Sequence, residues 1–432
     1  IGGEHSKFFF DKAVDLLSAN ENIKIQNPEP LENNLNRSEI LPEKVIALLH
    51  FGRSGTGLLH SLIDNHSEVS TLPSIYFSEF FDGSTWEKIT ADGWVGMVDR
   101  FIRSYPVLFD SRALYPVPTT NMKSIASLGI KEGMATLGKN RDEFLYLNKA
   151  FFRKELTCLM AEHDYLDPLV FFKLVHVAYE RALGNDDKKT TIFYHIHNPD
   201  IHAKLNFIKS TPNSKWIMMV REPVQNCESW ISRHFIDNSY SKISTRITTM
   251  LFDVDNIAFR DKDFVGLRLE DLKENPRATI PALCKWMGIN EEQCLYEMTA
   301  QGKRWWGDPS SPNYLKEGML PFGKPAAEYK IGKIFSRNDH FILRTLFYPF
   351  SVSFGYVEED LEQFKNDLLK IRPMMEQMFD FEKEFAQRTE VNPEQFIKSG
   401  SYLYLRTKLI ERWRVLNEFH TYPDMLKPLK IK

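Results

Sequence analysis

Residues 45–59 read VIALLHFGRSGTGLL, and this stretch decides the fold. Its apolar run from Val45 to Phe51 predicts a buried strand, and the apolar pattern that follows predicts a helix over 58–65. Between them lie three glycines in six residues, which let the backbone curl so that successive N–H groups point inward. The helix N-terminus adds roughly half a positive charge at the same point. The stretch therefore predicts a strand, a phosphate-binding loop and a helix in succession.

The side chains of this loop are those of an anion site without a metal. Arg53 supplies a cation, and Ser54 and Thr56 supply hydroxyl groups. The glycine spacing resembles that of a nucleotide P-loop, but Leu58 and Leu59 stand where such loops carry the Lys and Ser/Thr that hold phosphates and magnesium. We therefore expect phosphate binding without a metal ligand. Two alternatives stay open: a P-loop kinase or NTPase, and a tight strand-to-helix turn with incidental glycines.

Three further strands are predicted downstream, and each precedes a helical pattern. Short β-branched or aromatic runs occupy residues 191–195, 215–220 and 264–269. Strands that alternate with helices pair in parallel through right-handed crossovers. We predict an α/β fold, with a P-loop-like parallel sheet of about five strands flanked by helices. The predicted organisation is an N-terminal arm (1–42), a core domain (43–356) with a mainly helical insertion (85–185), and a C-terminal helical extension (357–432).

The composition is that of a globular protein with a large core. The 432 residues are 43% hydrophobic and 26% charged, which excludes a disordered, collagenous or disulfide-stapled chain. The net charge of -3 argues against nucleic acid or an anionic membrane as the partner, because such binding depends on a strong basic excess. No apolar run approaches the roughly 18 residues of a membrane span.

The four cysteines show neither a CxxC pair nor a Cys/His metal spacing. We interpret them as thiols of a reducing compartment, and we expect a cytoplasmic protein that binds no metal. The chain begins with Ile-Gly-Gly, so a truncated form of a Golgi-lumenal or membrane-anchored protein stays open. The sequence indicates nothing about the oligomeric state.

A second anion site is predicted at the end of the strand 215–220. Arg221 follows this strand directly, Pro223 can open a helix, and Ser229 lies about two turns along that helix. Arg221 and Ser229 can then converge on one anion through charge-assisted and hydroxyl hydrogen bonds. The alternative is a surface arginine paired with Glu222.

The two predicted anion sites together resemble those of sulfotransferases that use PAPS (3′-phosphoadenosine 5′-phosphosulfate). Residues 51–59 look like the 5′-phosphosulfate loop of that family, and 220–223 with Ser229 resemble its 3′-phosphate site. A third segment, 264–288, is similar to the family's strand and helix that read roughly LRYEDL, then proline, then a helix ending in LG.

The resemblance, which covers about residues 44–75 and 190–356, implies a reaction and a set of binding residues. The reaction is transfer of a sulfuryl group from PAPS to a hydroxyl acceptor, a carbohydrate or a small metabolite. Arg53 takes the place of the family's catalytic cation, which neutralises charge on the oxygen that leaves sulfur. By motif, the 5′-phosphosulfate loop corresponds to Gly52, Arg53, Ser54, Gly55, Thr56 and Gly57, the 3′-phosphate site to Arg221 and Ser229, and the basic loop that closes over the 3′-phosphate and adenine to Lys330 and Gly332.

The resemblance implies His197 as the catalytic base, with Glu79 as its rival. A base is needed because an alcohol is a poor nucleophile until its proton is removed. Residues 193–199 resemble the Lys-Thr-His-x-Pro strand end of cytosolic sulfotransferases, where His197 falls on the catalytic histidine and His195 replaces the lysine. The two histidines face the same side of a strand. Carbohydrate and protein-tyrosine members use a glutamate downstream of the first loop, and Glu79 lies a few residues from that position.

A non-catalytic nucleotide-binding module is the third hypothesis. Tight binding of adenosine 3′,5′-bisphosphate without sulfate transfer would favour it. The sequence leaves the acceptor itself open among carbohydrate, lipid, small metabolite and protein tyrosine.

Overall fold

The fold is built on short parallel strands separated by helices. The computed structural model describes residues 11–15, 24–29, 41–73, 77–113, 128–185, 189–197, 201–309, 314–324 and 332–431. In these ranges the strands are β1 Ile25–Gln26, β2 Lys44–His50, β3 Val69–Thr71, β4 Tyr165–Leu166, β5 Thr191–His195, β6 Lys215–Val220, β7 Asp263–Arg268, β8 Thr299–Ala300, β9 Lys303–Arg304 and β10 Lys427–Pro428.

The main sheet of the described residues has six strands in the order β10-β7-β6-β2-β5-β3. Every pairing in it is parallel. The interior of β2 is buried, and β5 and β6 pair with its two edges. A strand covered on both faces and paired on both edges needs an uninterrupted apolar run, which is what the sequence supplies. The predicted α/β class with a parallel sheet is confirmed.

The helices of the described residues flank this sheet. None of them is long and apolar enough to cross a lipid bilayer. The 3₁₀ segments are Pro106–Leu108, Ile257–Phe259 and Gln293–Tyr296. The α-helices are Thr56–Ile63, Gly83–Thr90, Met97–Ser104, Leu128–Lys131, Lys149–Ala161, Pro168–Ala182, Ile201–Ser210, Pro223–Ile236, Tyr240–Asp253, Leu269–Glu274, Pro276–Met287, Arg337–Leu346, Tyr348–Ser353, Leu361–Met374, Asp380–Arg388, Pro393–Phe396 and Gly400–Phe419.

An aromatic core holds the turn at 77–82 against the end of β5. Phe77 is fully buried and stacks on Phe172 of the helix Pro168–Ala182, with ring centroids 5.6 Å apart. The hydroxyl group of Tyr194, on β5, donates to the backbone oxygens of Phe77 and Ser78 at 3.0 and 3.1 Å. The helix Pro168–Ala182 and Tyr194 thereby position a turn beside the sheet end that carries the predicted histidines.

The C-terminal helices pack on the core of the sheet domain. Helix Gly400–Phe419 lies against helix Tyr240–Asp253. Between them, the buried guanidinium of Arg412 pairs with the carboxylate of Asp255 at 2.6 Å. The chain continues from this helix into β10, which pairs in parallel with β7. One edge strand of the sheet is therefore supplied by the C-terminal segment.

Candidate active site

A cavity of about 540 Å³ lies at the carboxyl ends of β2 and β6. In the order of strands, β3 lies beyond β2 toward one edge of the sheet, and β7 lies beyond β6 toward the other edge. β2 and β6 therefore flank the point where the strand order reverses. Open α/β sheets bind ligands in the crevice at this point. His50 lies opposite Met219 in the strand register, so the segments that leave the two strands start side by side.

The glycine loop, residues 52–57, needs glycine at two positions. Gly52 and Gly55 have φ angles of 63° and 88°, a region that L side chains rarely adopt. A Cβ atom on Gly52 would lie 3.0 Å from Oδ1 of Asn226, and one on Gly55 would lie 2.7 Å from Cδ1 of Leu269. The backbone conformation and the close neighbours both exclude a larger residue.

Hydrogen bonds hold the start of the glycine loop in place. The side-chain amide of Asn226 donates to the backbone oxygen of Phe51. The N–H group of Phe51 donates to the hydroxyl oxygen of the buried Ser54 at 3.1 Å. The loop curls back on itself here, as the glycine pattern predicts.

The loop then enters the helix Thr56–Ile63, which we call the loop helix. All six residues of the glycine loop line the cavity, and Arg53 is exposed at its edge. Gly55 is the N-cap and has no side chain with which to cap the first turn. The first-turn N–H groups and the positive end of the helix dipole therefore favour an anion at this place.

The second predicted site lines the same cavity. Arg221 follows β6 and is 7% exposed, and Ser229 lies on the helix Pro223–Ile236, which we call the Ser229 helix. The carboxylate of Glu222 caps this helix by accepting the N–H groups of Val224 and Gln225. Glu222 is therefore engaged with its own helix rather than with Arg221. The structure brings the glycine loop, Arg221 and Ser229 into one cavity.

His197 and His195 line the cavity next to the glycine loop. Their ring centroids are 5.3 Å apart, and that of His197 lies 5.6 Å from that of His50. Burial, and then the nearby Arg246, lower the pKa of His197 to about 4. Burial also lowers the pKa of His195 far below its usual value. His197 is neutral at neutral pH and has the protonation state of a base.

Of the remaining predicted residues, Glu79 and Gly332 lie outside the cavity lining. Glu79 is exposed, although its neighbour Ser78 accepts the backbone N–H of His197 at 2.9 Å. Gly332 donates its N–H to Oε2 of Glu228 at 3.1 Å, beside Ser229 on the Ser229 helix. Lys330 falls outside the described residues.

Three carboxyl groups that sequence reasoning missed also line the cavity, those of Asp64, Glu132 and Asp308. Burial first, and then repulsion from Asp308, raise the pKa of Glu132 to about 7, while Lys131 and Arg53 oppose the rise. Glu132 directly follows the four-residue helix Leu128–Lys131, and no motif surrounds it. Only the tertiary fold brings it to the glycine loop, so the sequence carries no signal for it.

No group of three or more His, Cys, Asp or Glu side chains is arranged to hold a metal ion within the described ranges. The four cysteines are free thiols, and Cys227 and Cys284 are buried. The donors that line the cavity include guanidinium, ammonium, hydroxyl and imidazole groups, which suit an anionic ligand.

The chain is similar to a protein family and to a domain of solved structure. The sulfotransferase family matches residues 46–293, more than half of the chain. The sulfotransferase domain of the olefin synthase of Synechococcus PCC 7002 matches in structure at a TM-score of 0.32 and 15% sequence identity, covering 66% of this chain and 86% of that domain. No curated protein matches the chain.

Proposed function

The chain belongs to the sulfotransferase family, and from this premise we propose that it transfers a sulfuryl group from PAPS to a hydroxyl group of a carbohydrate or a small metabolite. The observation that carries the proposal is the single cavity shared by Arg53, Arg221 and Ser229. A nucleotide with phosphate groups at both its 5′ and 3′ ends matches two separate cationic positions. A cavity of about 540 Å³ has the volume of a site for one ligand of this size.

The donor would bind with its 5′-phosphosulfate on the glycine loop and its 3′-phosphate on Arg221 and Ser229. The loop N–H groups, the hydroxyl groups of Ser54 and Thr56, and the loop helix N-terminus favour the phosphosulfate. Lys330 and Gly332 are proposed to contact the 3′-phosphate and adenine end.

The transfer step is a displacement at sulfur. His197 accepts the proton of the acceptor hydroxyl, the acceptor oxygen bonds to sulfur, and the bond from sulfur to the bridging phosphate oxygen breaks. Arg53 neutralises the charge that develops on that leaving oxygen. Glu79 is the alternative base, and its exposed position outside the cavity lining favours His197. The products are the sulfate ester, adenosine 3′,5′-bisphosphate and a proton.

Calorimetry tests the donor site without a known acceptor. Adenosine 3′,5′-bisphosphate, ATP and ADP are titrated into the full chain, with and without magnesium. We expect the bisphosphate to bind at least tenfold more tightly than ATP or ADP, because only it places phosphate at both cationic positions, and we expect magnesium to have no effect. Tighter magnesium-dependent binding of ATP would contradict the proposal and favour a kinase or NTPase.

Transfer itself is tested with PAPS labelled in its sulfuryl group, against panels of sugars, glycans and small alcohols. Formation of labelled ester by the wild type and not by the Arg53→Ala variant would support the proposal. Tight bisphosphate binding with no ester from any acceptor would favour a binding module instead.

A further inference from the structure

One indole ring connects Glu132 to the glycine loop. Nε1 of Trp305 donates to the backbone oxygen of Glu132 at 3.0 Å. The far edge of the same ring, Cη2, lies 3.5 Å from the position that a Cβ atom on Gly57 would take. Trp305 is 5% exposed and packs in the core cluster that contains Leu58 and Leu59 of the loop helix. The Trp305 ring therefore joins the segment of Glu132 to the glycine loop, and Glu132 lines the same cavity as that loop.

The backbone next to Glu132 also packs closely against the segment that follows Trp305. Gly133 has a φ of 74°, and a Cβ atom there would lie 2.5 Å from the backbone oxygen of Gly307. The hydroxyl group of Thr136 donates to the backbone oxygen of Gly133 at 3.3 Å. The segment that carries Glu132 is thus in close contact with the segment that carries Trp305 and Asp308, so both carboxyl groups have defined places at the cavity.

The charges around Glu132 favour its neutral form. Arg53 of the glycine loop, Lys131 of the preceding helix and Asp308 of the opposite segment are the charged groups that act on it. Burial and Asp308 outweigh the two cations, so that the pKa of Glu132 is raised to about 7. A bound phosphosulfate would add further negative charge to the cavity, and a carboxylate next to it would be repelled.

We propose that Glu132 is a donor-binding residue that acts in its protonated form, as a hydrogen-bond donor to the anionic phosphosulfate end of the nucleotide. The inference rests on the proposed function, because it takes that end of PAPS to lie on the glycine loop. Near pH 7, binding then draws a fraction of a proton from solvent onto the Glu132 carboxylate, and the same fraction returns to solvent when the bisphosphate leaves. A carboxylic acid kept neutral by its surroundings can serve as such a donor in an enzyme site.

The substitution Glu132→Gln distinguishes our proposal from a role of Glu132 as the general base. Glutamine keeps the shape of glutamic acid and an uncharged hydrogen-bond donor, but it cannot accept the acceptor proton. Under our proposal Glu132→Gln loses the proton uptake that accompanies donor binding, and transfer is weakened only as far as an amide is a poorer hydrogen-bond donor than a carboxylic acid. Under the base role the same variant loses transfer by about 10²-fold or more.

The test is calorimetric titration of adenosine 3′,5′-bisphosphate into the full-length wild type and the Glu132→Gln variant between pH 6 and pH 8, in two buffers of different ionisation enthalpy. The wild type is expected to take up a larger fraction of a proton than the variant near pH 7. Its Kd is expected to rise roughly five- to tenfold more than that of the variant from pH 6 to pH 8, as for a pKa that moves up by one to two units on binding.

The comparison between the two proteins removes the titration of the ligand's own phosphates. Glu317→Gln, at an exposed position in the neighbouring segment, is the matched control and should behave as the wild type. Identical proton uptake and pH dependence in the wild type and Glu132→Gln would overturn the inference while leaving the proposed function intact. If neither the wild type nor Glu132→Gln binds the bisphosphate, the inference and the proposed function are both overturned.

A second variant keeps the inference testable if Glu132→Gln fails to fold. Asp308→Asn removes the repulsion that raises the pKa of Glu132, so the pH at which bisphosphate binding weakens should move to a lower value. An unchanged pH profile in Asp308→Asn would count against the proposal.

Discussion

The side-chain amide of Asn226 donates a hydrogen bond to the backbone oxygen of Phe51, at the point where β2 enters the glycine loop. Asn226 lies on the Ser229 helix and is fully buried. The helix that carries the proposed 3′-phosphate residue therefore holds the loop proposed for the 5′-phosphosulfate. Because one side chain links both ends of the donor site, their separation is set before any nucleotide binds, which lowers the ordering cost of binding.

Substitution of Asn226 with alanine should damage both stability and donor binding. The change leaves the backbone oxygen of Phe51 buried without its bond, and an unsatisfied buried group costs about 1–3 kcal/mol. We expect the free energy of unfolding in urea to fall by that amount and bisphosphate affinity to fall as well. Gln225→Ala, one residue earlier on the same helix, should change stability by less than about 0.5 kcal/mol. Equal effects of the two variants would contradict the bracing role.

Substitution of Arg53 and substitution of Arg221 should impair different steps, the transfer itself and the binding of the donor. Arg53→Ala removes charge stabilisation of the leaving oxygen and should lower kcat by about 10²–10³-fold. Arg221→Ala removes a buried cation from the proposed 3′-phosphate site. It should chiefly weaken bisphosphate binding, with a loss of about 2–5 kcal/mol of binding free energy. Single-turnover transfer from labelled PAPS at saturating donor separates the two effects. A rate unchanged in Arg53→Ala would refute its assigned role.

His197→Ala and Glu79→Ala, assayed side by side, identify the base. His197 lines the cavity, whereas Glu79 is exposed outside its lining. We expect His197→Ala to lower transfer by about 10²–10⁴-fold with bisphosphate affinity preserved, and Glu79→Ala to change it little. With the pKa of His197 near 4, wild-type activity should be lost only below about pH 5, as the imidazole becomes protonated. The reverse ranking of the two variants would assign the base to Glu79.

The sequence predicted the strands that are long and buried. β5 and β6 have the predicted bounds, and β2 and β7 are shifted by one residue. β3 and β10 were not predicted, and they extend the expected sheet of about five strands to six. Three and two residues are too few to show a period, and tertiary pairing alone makes them strands.

In the candidate site, too, residues in local motifs could be predicted and residues brought together by the fold could not. The glycine loop and Arg221 could be found because strand-end motifs keep backbone geometry and side chain together in a short stretch. Glu132 and Asp308 lie far apart in the chain, in segments without a pattern, and come to one cavity only in the folded protein. Long-range contacts of this kind leave no local trace in a single sequence.

Gly55→Ala should distort the glycine loop, and part of the damage should be reversible. The new Cβ atom would lie 2.7 Å from Cδ1 of Leu269, and the φ of 88° costs an L residue roughly 1–2 kcal/mol. We expect weaker bisphosphate binding in Gly55→Ala. In the double variant Gly55→Ala/Leu269→Ala the collision disappears and the backbone cost stays, so binding should recover in part. A double variant no better than the single one would show that the collision is unimportant.

The free energy of unfolding of the protein without ligand should depend on pH through the carboxyl group of Glu132. Its pKa is about 7 in the folded protein, against 4.5 for an ordinary glutamic acid, so the folded state binds more protons between these values. The stability that this carboxyl group contributes is full below about pH 4.5 and is lost as the pH rises through 7. Relative to Glu132→Gln, the wild type should therefore lose about 2 kcal/mol of unfolding free energy from pH 5 to pH 8. Urea unfolding of both proteins measures the difference, and other carboxyl groups cancel because both proteins contain them. The curve of Glu317→Gln should stay parallel to that of the wild type, whereas a parallel curve for Glu132→Gln would show that this carboxyl group has an ordinary pKa.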